Sequence, residues 1–295
     1  MAFGTLAFRM AAGVSRRVGL AATVAAVASL LASAIALTAP ASSTPQLLPD
    51  LRVERPDELY VSQKRRETRL RVSNTISNRG AGPLEMTGND APCAYPGPTP
   101  GRTTVQRIFE DDAADAGSLG YFIRSDDQGY SDIPAGCWRY HPSHDHWHFD
   151  NFARYTLFSE RSGRPVGTSR KVSFCVIDTG RPYRTLPGSP TEAHYPQDGA
   201  HPRFPTCSET STDGLSIGWE DTYGASLPGQ AIEITGLRRG RYCLRIEADP
   251  PTATSSDGVL AESNPYNNAR TVRMRLQPRK GFVHRLGPDC AVDPS

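Results

Sequence analysis

A mainly β chain, built as a single β-sandwich-like domain with long loops and little helix, is what this sequence predicts. Three observations lead there. Apolar residues recur with period two far more often than with the 3.6 period of an amphipathic helix. Glycine and proline are frequent, 26 and 25 of 295 residues, and both punctuate turns rather than helices. Short alternating runs end at strong turn signals, the pattern of half-buried strands.

Taken in order, residues 1–41 stand apart from the fold. They carry Arg9, Arg16 and Arg17, an apolar run from Val18 to Leu37, and the small-residue end Ala39-Pro40-Ala41. This is the layout of a bacterial export signal cleaved after Ala41, although a run of that length also suffices for an uncleaved N-terminal membrane anchor. Ser15-Arg16-Arg17-Val18-Gly19-Leu20 resembles a twin-arginine signal without its usual aromatic and lysine. Removing the signal leaves 254 residues, enough for one large core. Lys and Arg then number 30 against 31 Asp and Glu, so there is no electrostatic case for a nucleic-acid partner. No second long apolar run follows, so no membrane contact is expected beyond the N-terminus. The catalytic-size domain is expected over 46–285, with 286–295 as a tail.

Strands follow. Leu70, Val72 and Ile76 alternate with polar residues before the turn Asn78-Arg79-Gly80. Tyr242, Leu244 and Ile246 do so before Asp249-Pro250-Pro251, and Val272, Met274 and Leu276 near the end. Segments 87–102 and 178–215 read as long loops, where sites are commonly built. The acidic run Glu110-Asp111-Asp112, with Asp115, reads as a solvated loop or an attractor for cationic amines. All six cysteines, Cys93, Cys137, Cys175, Cys207, Cys243 and Cys290, lie after the signal. An even count in an oxidising compartment implies disulfides. Fifteen pairings are open; the sequential one (93 with 137, 175 with 207, 243 with 290) serves as the working expectation.

The most informative run holds four of the seven histidines, at 141, 144, 146 and 148. On a strand, positions i, i+2 and i+4 share a face, so His144, His146 and His148 converge as three nitrogen donors with a coordination position left open. Imidazole suits copper, zinc, iron or nickel. His141 precedes a proline, is out of phase, and is expected to be structural or to support the ligands.

Three separated stretches resemble the lysyl oxidase family of copper amine oxidases. His141-Pro-Ser-His144-Asp-His146-Trp-His148-Phe-Asp-Asn-Phe152-Ala-Arg-Tyr155 is similar to its copper-binding segment. Gly167-Thr-Ser-Arg-Lys171-Val-Ser-Phe174-Cys175-Val-Ile-Asp178-Thr is similar to the segment bearing its cofactor lysine. Asp221-Thr-Tyr223-Gly-Ala225, followed by Gln230-Ala-Ile232-Glu-Ile234-Thr, is similar to the segment bearing its cofactor tyrosine. The resemblance implies copper(II) on His144, His146 and His148. It also implies lysine tyrosylquinone, a protein-derived cofactor, formed from Lys171 and Tyr223. The implied reaction oxidises a primary amine or peptidyl lysine with O2 to an aldehyde, hydrogen peroxide and ammonia. Asp150 and Asp221 are the two candidates for the catalytic base. Arg154 stands where animal members tend to carry histidine. The resemblance also implies calcium at Asp50, the Leu51 carbonyl, Glu262, Asn264, Asn267 and Asn268, an oxygen-rich set of the kind calcium favours. Asn264 replaces an expected aspartate there. Two other readings compete: a secreted three-histidine zinc hydrolase, and a copper-binding protein in which no quinone forms. The histidine order does not match the His-x-His-x-Asp-His pattern of metallo-β-lactamase-like hydrolases.

Overall fold

The computed structural model describes residues 44–93, 99–112, 118–142, 145–169, 173–195, 207–208 and 211–290. The chain divides into residues 1–42, which lie outside that set and contain the expected export signal, and a unit comprising 43–295. Among the described residues the unit is mainly β, with 17 strands and only two short 3-10 turns, Pro265–Asn267 and Pro278–Lys280. No helix among them is long and apolar enough to cross a membrane.

Among the described residues four antiparallel sheets are present rather than the two of a simple sandwich. In the first, β12 (Thr212–Leu215), β6 (Leu84–Pro92), β7 (Gly101–Glu110), β8 (Tyr130–His141) and β9 (His146–Phe149) are neighbours in that order, and β1 (Gln46–Leu47) also pairs with β7. The second runs β11 (Pro165–Thr168), β10 (Ala153–Ser159), β15 (Gly240–Ala248), β16 (Ala269–Gln277) and β17 (Phe282–Arg285). Two three-stranded sheets complete the fold. One is β13 (Glu220–Tyr223), β5 (Asn74–Asn78) and β2 (Leu51–Val53); the other is β14 (Ala231–Glu233), β4 (Glu67–Val72) and β3 (Leu59–Lys64).

All four sheets feed one apolar core, which includes Leu70, Ile76, Leu84, Trp138, Phe149, Tyr155, Phe174, Leu244 and Val272. Fully burying one such large side chain contributes roughly 1.5–3 kcal/mol. The alternations at 242–246 and 272–276 fall on β15 and β16, and their apolar residues are buried. Segment 70–78 differs from its expected single strand. It breaks at Ser73, whose N–H donates to Glu58 O (3.0 Å) and whose hydroxyl accepts from Glu58 N (3.0 Å). Leu70 and Val72 stay in one sheet while Ile76 enters another. In β5 every residue is buried, polar ones included. Gly80, in the turn that follows, lies so close to the 48–50 backbone that a Cβ would stand 2.3 Å from Leu48 O.

The loop expected at 87–102 is shorter, because β6 runs to Pro92 and β7 resumes at Gly101. Segment 178–195 is irregular and is stapled by Asp178, whose carboxylate accepts from the N–H groups of His194, Tyr195 and Ser216 (2.8–3.1 Å). Within the acidic run Asp111 accepts from Leu119 N and Gly120 N (both 2.9 Å), and Asp112 from Gly129 N (3.0 Å), while Asp115 lies outside the described residues. Cysteines pair sequentially as expected, Cys93–Cys137, Cys175–Cys207 and Cys243–Cys290. The last ties the start of the tail to β15.

Candidate active site

Strands β8 and β9 form a hairpin in which His141 faces His146 and Arg139 faces His148. Alternation along β9 puts His146 and His148 on one face, with ring centroids 4.7 Å apart. His148 is fully buried and His146 half-buried. Ser143 and His144 lie outside the described residues. His141, set aside by its phase in the sequence, joins the cluster across the hairpin. Its ring centroid lies 4.8 Å from that of His148. Strand phase within one segment missed it; the four-residue connection 142–145, which makes 141 and 146 partners, was the signal that could have found it.

The second stretch lies along the free edge of β9. Phe149 and Phe174 exchange backbone hydrogen bonds, Phe149 N to Phe174 O (2.8 Å) and Phe174 N to Phe149 O (3.0 Å). One residue earlier, Ser173 Oγ lies 3.3 Å from His148 Nδ1. Residues 170–172, with Lys171, lie outside the described set, but both flanks are anchored. On the far side Ser169 N donates to Tyr155 O (2.9 Å) and Tyr155 N to Ser169 Oγ (3.1 Å). Ser169 and Ser173, the described residues on either side of 170–172, are thus bonded to the Tyr155 strand and the His148 strand respectively.

Tyr223, at the end of β13, reaches the same segment. Its hydroxyl donates to Cys175 O (2.9 Å) and accepts from Cys175 N (2.8 Å), and its ring stands edge-on to Phe174 with centroids 4.7 Å apart. Burial, reinforced by the Asp221 carboxylate, pushes its phenol well above the ordinary tyrosine range, so the hydroxyl is held neutral. Cys175 is bonded to Cys207, and Trp147 N of β9 donates to Cys207 O (2.8 Å). Histidine strand, lysine-bearing segment and tyrosine strand are thus joined by consecutive contacts at 173, 174 and 175.

The two candidate bases differ. Asp150 is ion-paired with Arg139, whose Nη1 also donates to Thr99 O (2.7 Å). Burial raises the Asp150 carboxyl and Arg139 opposes the rise. Asp221 is buried two residues before Tyr223, and alternation places both on one face of β13. Arg154 faces Glu247 across β10 and β15 and bonds it (3.1 Å), a cross-strand ion pair.

A second cluster gathers the expected oxygen ligands. Glu262 accepts from Leu51 N (2.7 Å) and Asn268 Nδ2 (2.5 Å), while Asp50 accepts from Asn267 Nδ2 (2.9 Å) and Arg52 Nε (3.0 Å). Burial, with the charges of Asp249 and Asp50 adding to it, pushes the Glu262 carboxyl up to about 8. The amide oxygens of Asn267 and Asn268 are buried without a hydrogen-bond partner. Two carboxylates beside two orphaned oxygens are a donor set suited to a hard cation. Asn264 is used differently: its side chain caps the 265–267 turn by accepting from Tyr266 N (3.1 Å).

The sequence profile of the lysyl oxidase family matches residues 127–285, which span both histidine and tyrosine strands. The chain belongs to the lysyl oxidase family. It is 32% identical over 176 residues to human protein-lysine 6-oxidase, covering 58% of this chain and 36% of that protein. Against the pig protein-lysine 6-oxidase the figures are 31% over 176 residues, 58% and 60%. Human lysyl oxidase homolog 1 is 30% identical over 150 residues, 49% of this chain and 22% of that protein. The match therefore spans between about a fifth and three-fifths of these relatives. What the lysyl oxidase family shares with this chain is centred on the β8–β9 hairpin and the strands that follow it.

Proposed function

We propose that this lysyl oxidase family member is a secreted copper amine oxidase. Its reaction converts a primary amine, peptidyl lysine included, with O2 and water into aldehyde, ammonia and hydrogen peroxide. Copper would be held by His144, His146 and His148, and Lys171 and Tyr223 would form the quinone cofactor. The observation that carries the reading is the run of contacts at Ser173, Phe174 and Cys175, which ties the histidine strand to Tyr223 within three residues. Relatives named protein-lysine 6-oxidase support the same chemistry.

The chain's own residues have distinct tasks in this account. Ser173 bonds His148 at Nδ1 (3.3 Å), which leaves Nε2 as the donor toward a metal. Cys175 holds the Tyr223 hydroxyl through both its backbone groups, fixing the ring beside Phe174. Asp221, on the same face of β13 as Tyr223 and two residues before it, is the better placed base for removing the substrate's α-proton. Copper and the quinone, when present, supply the electron sink and its reoxidation by O2. His141 extends the imidazole cluster and either supports the ligands or adds to them. Calcium would join Asp50, Glu262, Asn267, Asn268 and the Leu51 carbonyl, stapling the 49–53 strand to the 262–268 turn. The zinc-hydrolase reading has no use for a buried, backbone-clamped Tyr223.

The test is reconstitution of the exported chain with copper under air, followed by an amine-oxidation assay on wild type, Tyr223→Phe and His146→Ala. Tyr223→Phe is expected to keep copper and lose oxidation; His146→Ala is expected to lose both. Undiminished oxidation in Tyr223→Phe would overturn the proposal.

A further inference from the structure

Behind Tyr223 lies a polar group that neither the family resemblance nor the contacts above explain. Asn74 faces Tyr223 directly in the β5–β13 register. It is 2% exposed; Tyr155 of β10 and Gln230, just before β14, are both 0% exposed, and Asp221 is 3% exposed. Three sheets thus contribute to one buried polar cluster. The Tyr155 hydroxyl donates to Gln230 Oε1 (2.7 Å), and the Asn74 amide also bonds that hydroxyl. The Asp221 charge raises both Tyr155 and Tyr223, which places the two phenols in one electrostatic neighbourhood.

After these contacts two atoms remain buried without a hydrogen-bond partner: Asn74 Oδ1, an acceptor, and Gln230 Nε2, a donor. Apolar side chains of the same shape would fill this space without that cost. The pair is complementary in a way the tyrosine chemistry uses. An oxidised ring carries carbonyl oxygens, which only accept; its two-electron, two-proton reduced form carries hydroxyls, which also donate. A donor beside an acceptor can serve both forms.

We propose that Asn74 and Gln230, held by Tyr155, are positioning residues for the Tyr223 ring through its redox change, the Gln230 Nε2 N–H donating to an oxygen of the oxidised form and the Asn74 carbonyl accepting from a hydroxyl of the reduced form. This rests on the amine-oxidase reading and deepens it. Neither residue reacts; they fix the ring's orientation while it forms and while it changes redox state.

The test compares wild type with Gln230→Met and with Tyr155→Phe/Gln230→Met, which removes both ends of the Tyr155–Gln230 hydrogen bond together. After copper reconstitution under air, four quantities are read: thermal midpoint, copper content, rate of formation of the Lys171–Tyr223 cross-linked peptide, and quinone absorbance maximum. The double variant is expected to fold and bind copper fully, its melting temperature lowered only modestly by the Asn74 amide that loses the Tyr155 hydroxyl. Its cross-linking should slow on the order of 10²-fold, the effect of losing one pre-aimed donor, and the residual quinone should absorb at a shifted wavelength. Wild-type rate and wavelength in a folded, copper-loaded double variant would overturn the inference. Absence of any cross-link in wild type would instead overturn the amine-oxidase reading itself.

Discussion

The Tyr223 hydroxyl and the Glu262 carboxylate both sit in buried polar clusters, yet they are partnered differently. Tyr223 both donates and accepts at the Cys175 backbone, so its hydroxyl is fully engaged by protein atoms. At Glu262 the two asparagine amides turn their N–H groups toward carboxylates and leave their oxygens orphaned. The Glu262 carboxyl is pushed up to about 8. Under the proposed function the first region serves the chemistry, and the second gains stability from a bound cation. Activity and stability should therefore respond to different perturbations.

The largest expected effect tests the first region. Tyr223→Phe should lower amine oxidation by at least ~10³-fold, as removal of a group acting as one unit with its partners does. Its folding stability should fall by only about 1–3 kcal/mol, from the two Cys175 backbone groups left unpaired; denaturant titration beside the assay measures both. Next is Cys175→Ser/Cys207→Ser. The bond closes a loop of sequence separation 32, worth about 3–4 kcal/mol, and it joins Tyr223's anchor to Trp147's partner. Both stability and activity should drop, which would show that the two responses couple only at this staple.

The second region has its own pair of tests. Asp249 accepts from Val259 N and Leu260 N, and burial raises its carboxyl to about 6 from 3.8. A carboxyl raised in the folded state holds its proton more firmly there than when unfolded. Stability should accordingly fall as pH rises from about 4 to about 6, by about 2–3 kcal/mol at most. Asp249→Asn should flatten that window in a pH series of melting temperatures. Calcium added to chelator-treated protein should raise Tm, the stabilisation amounting to about 2.7 kcal/mol at a hundredfold excess over Kd. Glu262→Gln should remove most of that gain and leave amine oxidation nearly unchanged. Loss of oxidation on calcium removal would break the separation between the regions.

Sequence reasoning reached the elements whose signal is local. Alternation located β15 and β16, and the histidine spacing located β9. Where meaning depends on partners, it fell short. Ser73 looks like one more polar position in an alternating run, yet its bonds to Glu58 send the chain from one sheet into another. His141 is out of phase along its own strand and in contact across the hairpin. Asn74 and Gln230 carry no signal of their burial, because nothing near them in sequence says that three sheets close over them. Asp111 and Asp112 read as free charge because the N–H groups they accept from lie several residues further on.

The central claim is that residues 171 and 223 are brought together for one oxidation, and peptide mapping of copper-reconstituted, aerated protein tests it most directly. The account predicts a single cross-linked pair joining the Lys171 and Tyr223 peptides, dependent on copper and O2. Folded, copper-loaded protein that yields both peptides separately and unmodified would contradict it.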